Sequence, residues 1–282
     1  MNLFKRKKLP VFSIPLTAID KRTLARVGDK LDEDLLQEVA AMSPHAQSPY
    51  FLVKDTPVYA HLQLLLEKEQ YSFVAENGPR RKYILDLLGN LSFNQLVFKE
   101  LEWMARYDYY YHHTLAVSLL VSRLAYDFFS EYQWAHRATS SALIYDFGIT
   151  RVPAEILNKV SRLTEEEKNI IQEHPLYSYL LATYYLGDYR RIDALVAYEH
   201  HEDLIGTGYP RGIIQDNIIA QIVKVCDFYD ALISARPFRP AYSPACALKA
   251  IGKEVEKGTM SQLAYDLLVS YHQNVRESVT VG

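Results

Sequence analysis

Cysteine is almost absent from this chain, with Cys226 and Cys246 the only two among 282 residues. Two thiols build neither a disulfide framework nor a thiolate cage, so a metal here must be held by His, Asp or Glu. Long apolar runs are missing as well. No stretch of about 18 uncharged apolar residues occurs, and Lys5, Arg6, Lys7 and Lys8 precede Pro10 with no apolar core of the kind a signal peptide needs. The expectation is a cytoplasmic protein with no membrane span. Positive charge is not in excess either: 31 basic side chains face 34 acidic ones for a net charge of -3. That balance argues against a surface that coats DNA or RNA by phosphate contacts, and the four-residue basic run reads as a solvated terminus. What is abundant is tyrosine, 22 residues against 11 glycines, and there are nine histidines.

The pattern of apolar residues divides the chain. Val11 to Leu16 and Tyr50 to Val53 are short β-prone runs, whereas Thr23 to Met42 and Val58 to Glu67 carry helical spacing. Asn77, Gly78 and Pro79 form a turn signal, after which helical periodicity continues almost to the end. The fold class expected is mainly α, a helical bundle over 93–282 preceded by a small mixed α/β module over 1–92. Punctuation places the helices. His113, Val117, Leu120 and Leu124 share one face of a helix spanning Tyr109 to Phe129. Trp134 to Tyr145 follows, and Thr164 with Glu167 makes a capping-box signature before the segment that carries His174. Pro175 bends or restarts the chain there. Arg191 to His201 and Ile218 to Ser234 are further helices, the second with Asp227 and Asp230 on one face; Ser243 and Pro244 open another that Gly258 ends.

Several of these helices contribute one inward His or Asp, the way helical bundles build metal sites in their cores. The candidates are His113, Asp146, His174, His200 with His201, and Asp227. Imidazole and carboxylate together suit Fe, Mn or Zn, and a bridging carboxylate such as Asp146 favours two metals. Taken singly, each has a plainer explanation: a hydrogen-bonded core histidine for His113, a helix cap for His174, a solvated helix residue for Asp227. Their joint order is what calls for a site.

That order resembles the HD-GYP branch of the HD-domain metal-dependent phosphohydrolases, bacterial phosphodiesterases that linearise cyclic di-GMP. The densest match is His200-His201-Glu202 followed by Gly206-Thr207-Gly208-Tyr209-Pro210-Arg211-Gly212. Around it lie Tyr145-Asp146-Phe147-Gly148, Val152-Pro153, Ile156-Leu157-Asn158-Lys159, His174-Pro175, Asp227-Phe228-Tyr229-Asp230-Ala231-Leu232 and Arg236-Pro237-Phe238-Arg239, in family order. The resemblance implies two divalent transition metals, Fe ahead of Mn. His113, Asp146 and Asp227 would hold one and Asp146, His174 and His200 the other, with a metal-bridged hydroxide attacking the phosphodiester. His201 would be a further ligand or a proton donor to the leaving oxygen, making Asp146 and His201 the catalytic pair. Arg236, Arg239 and Asp230 would bind the substrate. The loop of Gly208, Tyr209 and Pro210 would contact other signalling proteins, a diguanylate cyclase among them.

The departures from the pattern are specific. Tyr145 stands where the family has the histidine that names its HD motif, Ile149 where it has a lysine, Asp203 where it has an arginine and Ile205 where it has an aspartate. Tyr145 is either a tyrosinate ligand to iron or a phenol that fills the gap and hydrogen-bonds to a ligand; the phenol is the reading adopted. Loss of the lysine removes a cation from the phosphate, which points to weak turnover or to a domain that senses the nucleotide without hydrolysing it. The residues of the N-terminal module show no phosphate loop or metal constellation, and a regulatory or partner role follows from family habit alone. Leu96, Val97, Leu101 and Met104 form an apolar stripe that is either core or a homodimer face.

Overall fold

The computed structural model describes residues 9–236 and 239–279, with the backbone alone for 273–279. The basic run of Lys5 to Lys8 lies outside the described residues, as do Pro237 and Phe238 of the Arg-Pro-Phe-Arg segment. The architecture is mainly α, with thirteen α-helices and two small two-stranded sheets among the described residues.

The N-terminal part holds β1 (Leu16–Thr17), β2 (Thr23–Ala25), α1 (Glu33–Ala41), β3 (Tyr50–Leu52), α2 (Pro57–Leu66), α3 (Gly78–Gly89), β4 (Ser92–Asn94) and α4 (Gln95–Met104). β1 pairs antiparallel with β2, and β3 with β4. Here the sequence reading needs correction. The helix expected from Thr23 begins only at Glu33, because Thr23 to Ala25 pairs as a strand and Gly28, at φ +90°, turns the chain before Asp32 caps the helix on Leu35 N–H. Asn77 is likewise a helix start: its side chain accepts from Arg80 N–H and opens α3. The stripe of Leu96, Val97, Leu101 and Met104 is buried within the chain, so it is core and offers no face to a second copy.

The C-terminal part follows its punctuation closely. α5 (Asp108–Phe128), α6 (Tyr132–Ile144), a 3₁₀ turn over Phe147–Arg151, α7 (Ala154–Leu157), α8 (Glu165–Gln172), α9 (His174–Leu186), α10 (Ile192–Glu199), α11 (Ile218–Ile233), α12 (Pro244–Glu256) and α13 (Gln262–Val279) succeed one another. The Thr164 capping box is formed, and Pro175 sits in the first turn of α9, where its missing N–H costs nothing. α5 packs on α6 and α11, α6 on α10, and α9 on α10 and the 3₁₀ turn. Every residue of α9 is buried, so this helix is enclosed on all sides and central to the bundle.

Its tyrosines explain part of the compositional excess. A buried tyrosine contributes a large apolar body, but its hydroxyl must find a partner. Tyr184 donates to Asp20 at 2.6 Å, and Tyr185 donates to Glu100 at 2.5 Å while accepting from Ile19 N–H. Tyr189, just beyond the helix, donates to Glu33 at 2.9 Å. These hydroxyls pin the N-terminal elements onto α9, whose first residue is His174. One contiguous core, from Phe12 to Tyr271, runs through both parts.

Candidate metal centre and substrate cavity

The six candidate ligands arrive from five places in the fold. His113 lies near the start of α5, Asp146 follows the last turn of α6, His174 opens α9, His200 and His201 follow the last turn of α10, and Asp227 is mid-way along α11. Close packing brings them together. Gly148 N–H donates to Ser178 Oγ at 2.8 Å, and a Cβ at Gly148 would lie 2.2 Å from the carbonyl oxygen of His174. Only glycine therefore lets the turn behind Asp146 meet the start of α9.

One half of the centre is a cluster of imidazoles. Ligand atoms of His174, His200 and His201 all lie within 4.8 Å of one another. Nε2 of His174 is 3.0 Å from Nε2 of His200, while their Nδ1 atoms face the carbonyls of Ile171 and Ala197 at 2.7 and 3.0 Å. A carbonyl only accepts, so each Nδ1 carries the proton and both Nε2 lone pairs point inward. Asp146 Oδ1 stands 3.4 Å from His174 Nε2 and is a buried oxygen with no hydrogen-bond partner. Burial, with the neighbouring imidazole of His200, pushes His174 down to about 3, and burial pushes His200 down to about 4. His201 is also held well below its ordinary value, by burial and then by His200 and His174. Three neutral imidazoles and an unpaired carboxylate oxygen are a donor set that fits a transition-metal cation.

The other half is closed on itself. Tyr145 Oη donates to Asp227 Oδ1 at 2.7 Å and stands 3.2 Å from His113 Nε2. His113 Nε2 is 2.9 Å from Asp227 Oδ1, and its Nδ1 is 2.7 Å from Asp230 Oδ2. Burial would lower His113, but Tyr109 and the hydrogen bonds to Asp227 and Asp230 outweigh it and hold the imidazole well above its usual range. Burial likewise opposes the charge on Asp227, yet the hydrogen bond and charge of His113 keep it ionised. Tyr145 is raised by its burial and then by the negative charges of Asp227 and Asp146. Its hydroxyl keeps its proton and donates it to Asp227.

A cavity of about 540 Å³ opens over both halves, lined among others by Asp146, His174, His201, Tyr209, Asp227 and Arg236. That volume falls within the ordinary range for a small-ligand site. Arg236 is held over the Tyr109 ring at 4.8 Å, its Nε donating to the phenol at 2.8 Å. Two expected substrate contacts lie elsewhere. Asp230 is fully buried behind His113, accepting from Tyr71 at 2.5 Å, so it orients the imidazole and does not reach the cavity. Arg239 spends its guanidinium on the carbonyls of Ala231, Leu232 and Pro240, the first two exposed by the end of α11.

The glycine-rich loop is tied down from beneath. Glu202 accepts from Arg211 N–H and Ile213 N–H, Arg211 pairs with Glu199, and Asp203 accepts from Ile205 N–H and Thr207 N–H. A Cβ on Gly208 would lie 2.4 Å from the carbonyl oxygen of His201. Tyr209 is turned inward, its ring stacked on His201 at 4.5 Å, which makes it part of the cavity wall. Ile149, in the lysine's place, also lines the cavity, as do three residues the sequence reading did not assign: Tyr110, Lys159 and Arg162. Lys159 pairs with Glu167 at 2.6 Å, whereas Arg162 is exposed. Two basic residues three apart, just ahead of the Thr164 cap, were the available signal.

Residues 93–259 match the family model described as HD domain. The chain is 34% identical over 151 residues to a cyclic di-GMP phosphodiesterase of Pseudomonas aeruginosa, covering 52% of this chain and 36% of that protein. It is 38% identical over 110 residues to the cyclic di-GMP phosphodiesterase response regulator RpfG of Xanthomonas campestris, covering 38% and 29%. To 3'3'-cGAMP-specific phosphodiesterase 1 of Vibrio cholerae it is 28% identical over 183 residues, covering 62% and 42%. The chain thus spans about a third of the length of these curated relatives. Among solved structures, an HDG"Y"P protein of Bdellovibrio bacteriovorus aligns over 94% of this chain and 95% of its own, at 14% identity and a TM-score of 0.49.

Proposed function

The chain belongs to the HD-domain family, and from that premise we propose that it is a divergent metal-dependent phosphodiesterase of the HD-GYP type acting on cyclic di-GMP. The observation that carries the reading is the convergence of His174, His200 and His201 beside the unpaired oxygen of Asp146, on the floor of a cavity that also holds Arg236. These four residues would hold a transition metal, iron ahead of manganese. A bound metal supplies Lewis acidity toward a phosphodiester oxygen and lowers the pKa of a water. The chain's own groups do the rest. Arg236, fixed by Tyr109, presents a forked donor to a phosphate. The exposed Arg162 adds positive charge to the cavity lining, and Tyr209 holds His201 in place by stacking.

A second reading is favoured by one observation. Ile149 puts an apolar side chain on the cavity wall where the resemblance calls for a cation. A site that keeps its ligands and loses that charge would bind the nucleotide and turn it over slowly, serving as a sensor or interaction module. In that case the loop beside Tyr209, where Ile205 is exposed, would dock a diguanylate cyclase or another signalling protein, and the N-terminal elements would be the regulatory partner. Incubating the anaerobically purified chain with cyclic di-GMP and Fe(II) or Mn(II) tests both. Linear dinucleotide that disappears in His174→Ala supports the enzyme; saturable binding without product supports the sensor; neither result would leave the proposal without support.

A further inference from the structure

The two halves of the centre differ in what they lack. Around His174 and His200, two Nε2 lone pairs face each other at 3.0 Å and the nearest carboxylate oxygen has no partner. Such an arrangement asks for a cation. Around His113 and Asp227 nothing is missing, because the two side chains already meet at 2.9 Å and the Tyr145 hydroxyl stands beside them, donating to the same carboxylate oxygen at 2.7 Å.

The reach of a tyrosine explains why. A phenol oxygen lies about 2 Å farther from its Cα than an imidazole Nε2, and a metal–imidazole bond is itself ~2.0–2.1 Å long. Placed on a backbone position that otherwise carries a histidine ligand, a tyrosine therefore sets its oxygen at the position of the ion and not at that of the ligand atom. The contacts agree. Tyr145 Oη has as neighbours Asp227 Oδ1 at 2.7 Å and His113 Nε2 at 3.2 Å, the two groups that the same position's cation would have engaged. The ring is fully buried and meets His200 edge-on at 4.9 Å, so admitting an ion in its place means displacing packed side chains.

We infer that Tyr145 replaces one of the two cations, and that this chain holds a single metal, bound by Asp146, His174, His200 and His201. The inference rests on the metal-dependent reading above and reduces to one the two ions that the resemblance implies. His113, Asp227 and Tyr145 then form an ion-free wall of the cavity, cross-braced by Asp230.

The full chain, loaded anaerobically with Fe(II) or with Mn(II) and freed of excess, is tested by elemental analysis and by electron paramagnetic resonance of the manganese form. One metal per chain and an isolated Mn(II) signal are expected. Tyr145→His should raise the count to two and produce an exchange-coupled pair. Should that variant fold poorly, His113→Gln serves instead: it keeps the count at one, while His174→Ala takes it to zero. Two metals in the unaltered chain, or loss of metal in His113→Gln, overturns the inference and leaves the metal-dependent reading standing. A visible phenolate-to-iron(III) absorption band after air oxidation of the iron form, absent in Tyr145→Phe, also overturns it, since Tyr145 would then be a ligand. No metal at all overturns both.

Discussion

Nε2 of His174 faces Nε2 of His200 across 3.0 Å, with each Nδ1 already committed to a backbone carbonyl. Two acceptor lone pairs at that distance repel unless a cation lies between or beside them. A metal bound there stabilises the folded state by mass action, about 2.7 kcal/mol at a hundredfold excess over Kd. Thermal melts should therefore show a clear drop in Tm on chelation and recovery on adding Fe(II) or Mn(II). His174→Ala should melt at the same temperature with and without metal.

The same burial makes the metal-free protein acid-sensitive. His174 and His200 titrate at about 3 and about 4 when folded and at about 6.5 when unfolded. Between those limits the unfolded chain binds protons that the folded chain refuses, so stability is whole above about pH 6.5 and is lost as pH falls toward the folded values. The slope reaches about 1.4 kcal/mol per pH unit for each such proton. His113, raised in the folded state, contributes in the opposite sense, so the comparison that isolates the effect is with His174→Gln. In chelator, from pH 7.5 to 4.5, the variant should lose Tm less steeply than the parent; equal slopes would sink the argument.

How much of this was legible beforehand depended on range. Helices bounded by local chemistry, such as the Thr164 box, Pro175 and the Ser243 cap of α12, announce themselves because caps and prolines act within a turn. Thr23 to Ala25 is a strand where its spacing predicts helix, because that spacing fits either structure and only pairing with Leu16 and Thr17 decides it. The candidate ligands are named by their order, and packing alone decides which of them meet, as His174, His200 and His201 do. Asp230 and Arg239 were assigned to the substrate, yet what places Asp230 behind His113 is a contact across 117 residues and what occupies Arg239 is the end of a helix. Nor does any local pattern reveal that tyrosine hydroxyls on α9 meet Asp20 and Glu100.

Gly148 should tolerate no side chain. A Cβ there meets His174 O at 2.2 Å and Ser178 N at 2.5 Å, both backbone atoms that cannot rotate away. Gly148→Ala must push the turn carrying Asp146 off the start of α9, at a cost of about 1–3 kcal/mol or more. Because the two displaced segments carry Asp146 and His174, metal affinity should fall along with Tm. Calorimetric titration of Mn(II) into the variant checks the first, and thermal melting the second.

Tyr185 should matter through its oxygen alone. Its hydroxyl serves the fully buried Glu100, which Arg151 also pairs at 2.6 Å, and it accepts from Ile19 N–H at 3.1 Å. Tyr185→Phe keeps the ring and strands a backbone donor and part of a carboxylate, an expected loss of about 1–3 kcal/mol. Denaturant unfolding measures it. Easier proteolysis of the segment around Ile19 should accompany the loss, since that contact helps hold the N-terminal strands to α9.

Turnover is where the divergent residues should tell most. Ile149 is buried and lines the cavity beside Asp146, so a lysine there can lay its stem along the space the isoleucine filled and bring its ammonium to the phosphate. Preorganised charge of this kind is worth on the order of 10²- to 10³-fold in rate. Ile149→Lys should thus accelerate release of linear dinucleotide from cyclic di-GMP, followed by chromatography, with kcat rising more than KM falls, because the added charge favours the transition state over the ground state. Combining it with Tyr145→His should add a further increase only where elemental analysis also finds the second metal. If Ile149→Lys tightens binding and leaves kcat unchanged, the missing charge is not what limits the chemistry, and the closed half around Tyr145 becomes the residual cause of low turnover.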